Sequence, residues 1–187
     1  MDEYQQRIKG RSFLRFWVGF FPRLWQFIKY SYFRKKARSR NALIGENVII
    51  SNSLASKANR NLYIGNNSSI DSSDIDLRNQ VHIGNNVIIG KKSKILTTSH
   101  NIDSEKWDRK DYGINIEDYV WIAENVIILP SCRYIGYGAV IGSGAVVVNN
   151  IPPLSVYSGN PAIKIRDRKA VHLSLIHISE PTRRSYI

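Results

Sequence analysis

The chain reads as an all-β solenoid, and three observations predict it. Apolar residues recur six apart: Leu77, Ile83, Ile89 and Ile95, then Ile116, Ile122 and Ile128, then Ile135, Ile141 and Val147. Most are followed by Gly or by a small or polar residue, as in Ile64-Gly65, Ile83-Gly84, Ile89-Gly90 and Ile141-Gly142. Four places beyond them a second small or apolar residue recurs, at Val48, Val81, Val87, Val120, Val126, Ala139 and Ala145. A short fixed period declares units that bury their apolar residue against the next unit. Each hexad is one short strand plus a turn, with both marked side chains pointing inward. Gly and Asn at the corners supply the left-handed backbone that sharp turns need.

The first element in chain order is a basic arm, residues 1–40. It holds eleven Lys/Arg against Asp2 and Glu3, which is +9 of the chain's formal +12. The body that follows is close to neutral, and a solenoid with a basic tail matches no known nucleic-acid reader, so no nucleic-acid partner is expected. On a helical wheel Arg11, Ser12, Arg15, Gly19, Pro22, Arg23, Gln26 and Lys29 form one narrow face. Phe13, Leu14, Phe16, Trp17, Val18, Phe20, Phe21, Leu24, Trp25, Phe27 and Ile28 fill the rest. A wide aromatic face with a basic edge suits a helix lying in a membrane interface. Arg34 to Arg40 would then meet anionic headgroups, at roughly 1 kcal/mol per charge. The alternative is a helix that packs on the flank or end of the solenoid and caps its open edge. Pro22 is expected to kink or split the helix. The longest charge-free run, Phe16 to Pro22, is far below the ~20 residues a spanning helix needs. No secretory leader is evident.

The solenoid occupies residues 41–169. Its hexads start at 44, 50, 58, 64, 70, 77, 83, 89 and 95, and again at 116, 122, 128, 135, 141 and 147. Ile70 to Leu77 and Ile128 to Ile135 each carry one extra residue, the second placing a bulge at Arg133 or Tyr134. The single cysteine, Cys132, follows Ile128 by four and is expected to point inward as a core side chain. It allows no internal disulfide, which fits a reducing cytoplasm.

The rhythm stops after Ile95 and resumes at Ile116. The excursion 97–115 contains His100, Asp103, Glu105, Trp107, Asp108 and Asp111. A long loop leaving a rigid scaffold is a usual seat of function. The tail, residues 170–187, shares no period with the coils. Leu173 to Arg183 looks like a translated sequencing adapter, so residues 173–187 are expected to be an artefact and His177 belongs to no site.

Val81-His82-Ile83-Gly84-Asn85-Asn86-Val87, Thr98-Ser99-His100, Val120-Trp121-Ile122, Ile151-Pro152-Pro153 and Tyr157-Ser158-Gly159-Asn160-Pro161-Ala162 fall in one order and spacing. With the repeats, they make the chain resemble the hexapeptide-repeat acyltransferases, in the branch of maltose, galactoside and colanic-acid O-acetyltransferases. The resemblance implies a left-handed parallel β-helix, an exception to the usual right-handed crossover. Three hexads make a coil, so fifteen make about five. It also implies acetyl-CoA as co-substrate, no metal, and a homotrimer with active sites between neighbouring β-helices.

The resemblance makes His100 the catalytic base. An imidazole, with a free pKa near ~6.5, can accept a hydroxyl proton at cytoplasmic pH. No Gly-x-Ser-x-Gly elbow suggests a covalent intermediate, so transfer is expected to be direct. The remaining assignments keep two readings each. Asp71 is an acceptor-binding residue or an ordinary turn Asp. Asp103 orients His100 or contacts sugar hydroxyls. Trp121 walls the acceptor or thioester channel or makes a trimer contact. Ala123 and Ser143 match positions whose backbone amides face the pantetheine arm. Lys164 and Arg166 meet CoA phosphates or form a solvated basic stretch. The chain departs from the family pattern at Ala123, where Gly is common, and at Val148 and Asn149, where Thr and Lys are common.

The expected activity is acetyl-CoA-dependent O-acetylation of a sugar or glycan hydroxyl in cell-surface polysaccharide synthesis. The expected place is the cytoplasm, peripheral to the inner face of the membrane. N-acylation of an amino sugar and a non-catalytic scaffold are the alternatives. A zinc enzyme on this fold needs three convergent histidines. Outside the tail the chain offers only His82, His100 and His172.

Overall fold

The structure, a computed structural model, describes residues 13–171, with side chains from Phe21 onward. Expectations for Arg11, Ser12, His172 and the tail 173–187 lie outside the described residues. The chain divides into two compact units, Met1–Tyr32 and Phe33–Ile187. Helix α1, Phe13–Arg38, belongs to the first and runs on into the second. The helix continues through Pro22, so the expected split there does not occur. Proline removes one i→i−4 bond, a local loss that a 26-residue helix can absorb.

In the second unit the last turns of α1 cap the solenoid. Ala37 is fully buried and Phe33 packs against the core. Arg34 donates to the Val48 carbonyl at 3.2 Å, and Arg38 donates to the carbonyls of Ile44 (2.9 Å) and Gly45 (3.0 Å). Lys36 reaches Asn52 at 2.9 Å and Ser56 at 2.7 Å. The Arg34 and Arg38 donors satisfy backbone carbonyls on the first coil, which has no preceding coil to pair with, and Lys36 bonds side-chain oxygens.

The coils wind through three parallel sheets in turn. The first holds β1 (Leu43–Ile44), β3 (Leu62–Ile64), β6 (Val81–Ile83), β11 (Ile114–Ile116) and β14 (Tyr134–Ile135). The second holds β2 (Ile49–Ile50), β4 (Ser69–Ile70), β7 (Ile88–Ile89), β12 (Trp121–Ile122), β15 (Val140–Ile141) and β17 (Ser155–Ser158), with β18 (Ile163–Asp167) antiparallel on β17. The third holds β5 (Asp74–Ile75), β8 (Lys94–Ile95), β13 (Ile127–Ile128) and β16 (Val146–Val147). The register stacks like on like: Ile50, Ile70, Ile89, Ile122 and Ile141 form one inward column. Each of these is at most 1% exposed.

Two expected hexads are corrected. The third side of the first coil is not a strand at Ala58 but helix α2, Asn52–Lys57, capped by Ser51 Oγ accepting from Leu54 N at 3.1 Å. In the second coil the strand residue is Ile75, paired with Ile95, and not Leu77. Ser72 Oγ accepts from Asp74 N at 3.1 Å and donates to the Ser93 carbonyl. That turn tightens the corner, so the next strand arrives sooner than a six-residue count places it. The solenoid also exceeds five turns: Ile151 bridges Ile135, and β17 continues the second sheet into a sixth.

Corners follow the expected chemistry. Asn47, Asn67, Asn86 and Asn125 adopt positive φ, as do Gly138 and Gly144. A Cβ on Gly84 would stand 2.3 Å from Asp118 Oδ1 and 2.8 Å from Asp118 N, so close coil stacking excludes a side chain there. Cys132 is 2% exposed, and burial pushes its thiol up to about 11. The extra residue before Ile135 is absorbed by a turn in which Cys132 N donates to the Leu129 carbonyl at 3.0 Å. Asn150 Oδ1 receives the Arg133 and Tyr134 amides.

Candidate active site

After β8 the chain leaves the corner between the third and first sheets as a hairpin, β9 (Thr98–His100) against β10 (Arg109–Asp111). None of its residues is buried, so apolar packing cannot set its pose. Polar bonds at the foot do. Asp76 accepts from Thr98 Oγ1 (3.1 Å), Thr97 N (3.3 Å) and Arg78 Nε (2.9 Å). Partial burial pushes the Asp76 carboxyl up, but hydrogen bonds from Arg78 and Thr97 outweigh it and hold the group well below the carboxylate range. Asp111 accepts from Asn79 Nδ2 (2.9 Å) and Arg109 Nε (2.6 Å), and the Asn79 bond leads in lowering its pKa.

At the tip, the chain doubles back between Asn101 and Asp108, with Asn101 N donating to the Asp108 carbonyl at 2.8 Å. Trp107 takes φ +52, an uncommon backbone for an aromatic residue. That conformation accompanies the contact that matters most: His100 Nδ1 lies 2.7 Å from the Trp107 carbonyl oxygen. A carbonyl only accepts, so Nδ1 carries the proton, and the neutral ring keeps its lone pair on Nε2. His100 is exposed, which leaves that nitrogen open to an incoming hydroxyl. The backbone of Trp107, not Asp103, is the partner at Nδ1; Asp103 stands exposed near the tip.

The other anticipated residues lie elsewhere. Asp71 follows Ile70 and Ala123 follows Ile122, so the register sets both in one column at the corner between the second and third sheets. Ser143 occupies the turn of that corner one coil beyond Ala123, before Gly144 at φ +71. The Ala123 amide donates to the Ile141 carbonyl at 2.9 Å and its carbonyl accepts from Ser93 Oγ at 2.7 Å. The N–H expected to face an acyl carrier is therefore committed inside the coil.

Trp121, 37% exposed, sits on the outer face of the second sheet between Ile88 and Val140. Its column continues through Val156 to Arg166. At one strand spacing per step, Trp121 to Arg166 spans about 14 Å. The result is an apolar strip with a cation at one end. Lys164 pairs with Asp167 at 2.7 Å, and that hydrogen bond is the leading cause of its raised pKa. Arg166 Nη1 donates to the Asp167 carbonyl at 3.1 Å.

One chain thus places His100 and Asp103 on one edge of the prism, and Asp71, Ala123 and Ser143 on another. The third sheet lies between them. The remaining early histidine, His82, stacks flat on Tyr63 with ring centroids 4.2 Å apart. Among the described residues no three His, Cys, Asp or Glu side chains group as metal ligands.

No family model matches the chain. It is 31% identical over 128 residues to the putative colanic acid biosynthesis acetyltransferase WcaF of Escherichia coli, covering 68% of this chain and 70% of that protein. It is 44% identical over 89 residues to the putative acetyltransferase C18B11.09c of Schizosaccharomyces pombe, where the match spans 46% of this chain and 42% of that protein's length. Among solved structures, a hexapeptide-repeat acetyltransferase of Vibrio cholerae complexed with acetyl coenzyme A superposes with a TM-score of 0.55 at 26% identity. That match covers 68% of this chain and 66% of the other.

Proposed function

The chain belongs to the hexapeptide-repeat acetyltransferases, left-handed β-helix proteins, and from that premise we propose that it moves the acetyl group of acetyl-CoA onto a sugar hydroxyl. The observation that carries the reading is the Nδ1–H bond from His100 to the Trp107 carbonyl, which leaves Nε2 as a proton acceptor on an exposed edge. His100 Nε2 takes the hydroxyl proton as the alkoxide oxygen bonds to the thioester carbonyl carbon. The Trp107 carbonyl orients the ring and stabilises the imidazolium through its Nδ1–H. As the tetrahedral centre collapses, the C–S bond breaks and His100 returns the proton to the departing sulfur. Atoms and charge balance without a covalent enzyme intermediate.

The outer strip of the second sheet fits the second substrate. Trp121, Val140 and Val156 offer apolar surface to a pantetheine arm, and Arg166 and Lys164 lie at the end where anionic phosphates would sit. The colanic acid relative supports a polysaccharide acceptor, and a cytoplasmic site would supply acetyl-CoA.

The separation of His100 from that strip supports a site completed by a second copy, in a homotrimer where each interface takes its base from one protomer and its groove from the next. Two measurements test the reading. Purified protein, acetyl-CoA and a panel of oligosaccharides should give a product one acetyl heavier, stable to amidase and labile to mild base; an amide product would redirect it to N-acylation. Mixed refolding of His100→Ala with Trp121→Ala should restore about a quarter of wild-type turnover, since one interface in four pairs two intact halves. No recovery would place base and groove within one protomer.

A further inference from the structure

Helix α1 keeps six large apolar side chains exposed: Phe21 (63%), Leu24 (41%), Trp25 (68%), Phe27 (64%), Ile28 (51%) and Tyr32 (60%). Five of them share a face. At the helical repeat, Phe21, Leu24, Trp25, Ile28 and Tyr32 fall within an arc of roughly 100°. The helix contains no acidic residue, while Arg23, Lys29 and Lys35 lie within or just beyond the same stretch. Lys35 continues the line of the stripe, three residues beyond Tyr32. Among the described residues no helix is long and apolar enough to cross a membrane.

We propose that α1 lies flat on an anionic lipid surface, with this aromatic stripe seated at headgroup level and Arg23, Lys29 and Lys35 directed to lipid phosphates. The side-chain types fit that depth. Trp25 and Tyr32 each join an apolar body to a polar tip, the pattern of membrane-interface belts. Long basic side chains extend their charge toward the headgroups while their stems stay in the apolar layer.

Charge decides between lipid and a second copy of the arm. Residues 1–40 carry eleven basic residues against Asp2 and Glu3. Two such arms packed stripe to stripe would repel, with almost no carboxylate to neutralise them, whereas anionic headgroups supply the missing charge. The opposite end of the helix is already engaged: Ala37 and Arg38 are fixed on the first coil. None of the stripe residues belongs to the site around His100, so this inference holds or fails independently of acetyl transfer.

The experiment is flotation of the full chain with two kinds of vesicle, phosphatidylcholine alone and phosphatidylcholine mixed with phosphatidylglycerol. The protein should float with the anionic vesicles and stay behind with the neutral ones. The triple variant Phe21→Ser/Trp25→Ser/Ile28→Ser should partition at least about tenfold less, with unchanged elution volume. The single variant Trp25→Ala should lose severalfold and guards against misfolding of the triple one. A parent protein that stays in solution overturns the proposal. So do variants that float as the parent does, which would leave charge alone as the anchor. A variant that elutes as a smaller assembly would assign the stripe to a second copy and overturn it as well.

Discussion

The coils and the hairpin that interrupts them are stabilised by opposite means. In the coils the inward positions are mostly apolar, with a few buried Ser and Thr bonded to coil backbone, and Ile83, Ile89, Ile95, Ile116, Ile122 and Ile128 are all fully buried. In the hairpin no residue between Thr98 and Asp111 is buried, and polar bonds to Asp76, Asn79 and the Trp107 carbonyl fix the pose. The coil therefore carries the stability, and the hairpin carries the proposed base without contributing much to stability. Substitutions in the two regions should separate activity from folding.

The largest separation is expected at His100. His100→Ala removes the proposed base and should lower acetyl transfer by ~10²- to 10⁴-fold. Because the side chain is exposed, its denaturation midpoint should shift by no more than about 0.5 kcal/mol in stability. Steady-state kinetics and urea unfolding on one preparation check both halves. Unchanged turnover would remove His100 from the mechanism; no turnover by the parent with any acceptor would return the chain to the scaffold reading. The converse variant is Ile122→Ala. It opens a cavity between coils and should cost ~2–5 kcal/mol in a cooperative urea transition, with turnover per folded molecule kept to within a few-fold. A cost below about 1 kcal/mol would mean that the coil collapses around the void.

The foot of the hairpin sits between these extremes. Asp76→Asn keeps the shape but removes the charge that Arg78 and the Thr97–Thr98 turn share, and should cost ~1–2 kcal/mol. The folded-state pKa of Asp76 is depressed, so its contribution is complete above the ordinary carboxylate range of ~4. It declines as pH falls through the folded value, which lies lower still. The stability gap between parent and Asp76→Asn should hence be flat from neutral pH down to ~4 and narrow only below it. A gap that closes between pH 7 and 5 would contradict the assignment.

The coil body was legible because one-dimensional period and three-dimensional stacking are the same fact. The inward columns, the corner Asn and Gly residues, and the inward Cys132 all follow from counting sixes. Counting failed where side chains replaced the period with another device. Ser72 tightens a corner and makes Ile75 the strand residue of that side, although Leu77 is buried as well. Ser51 caps a helical turn where a strand at Ala58 was expected. The site was half legible. His100 stands out as the histidine of a long excursion, yet the group that orients it is a backbone carbonyl, which no residue type announces. Asp76 and Asn79 lie twenty-odd residues upstream of His100 and reach the hairpin only through coiling. The split of the candidate residues between two edges is likewise a property of winding that residue spacing alone does not display.

The smallest effect is the sharpest check on that last contact. The proposed orienting group is the main-chain oxygen of Trp107, and the indole itself is 62% exposed. Replacing the side chain while preserving the backbone should therefore leave catalysis nearly intact. Asn adopts positive φ more readily than Trp, so Trp107→Asn fits the +52° backbone and keeps the carbonyl in place. Turnover should stay within about threefold of the parent, and stability should be equal or slightly higher. Trp107→Pro at the same position cannot reach positive φ and should displace the carbonyl, moving kcat and its pH profile toward those of an unoriented imidazole. If Trp107→Asn lost activity as severely as His100→Ala, the indole would be contacting substrate, and the orienting role would pass from the backbone to the side chain.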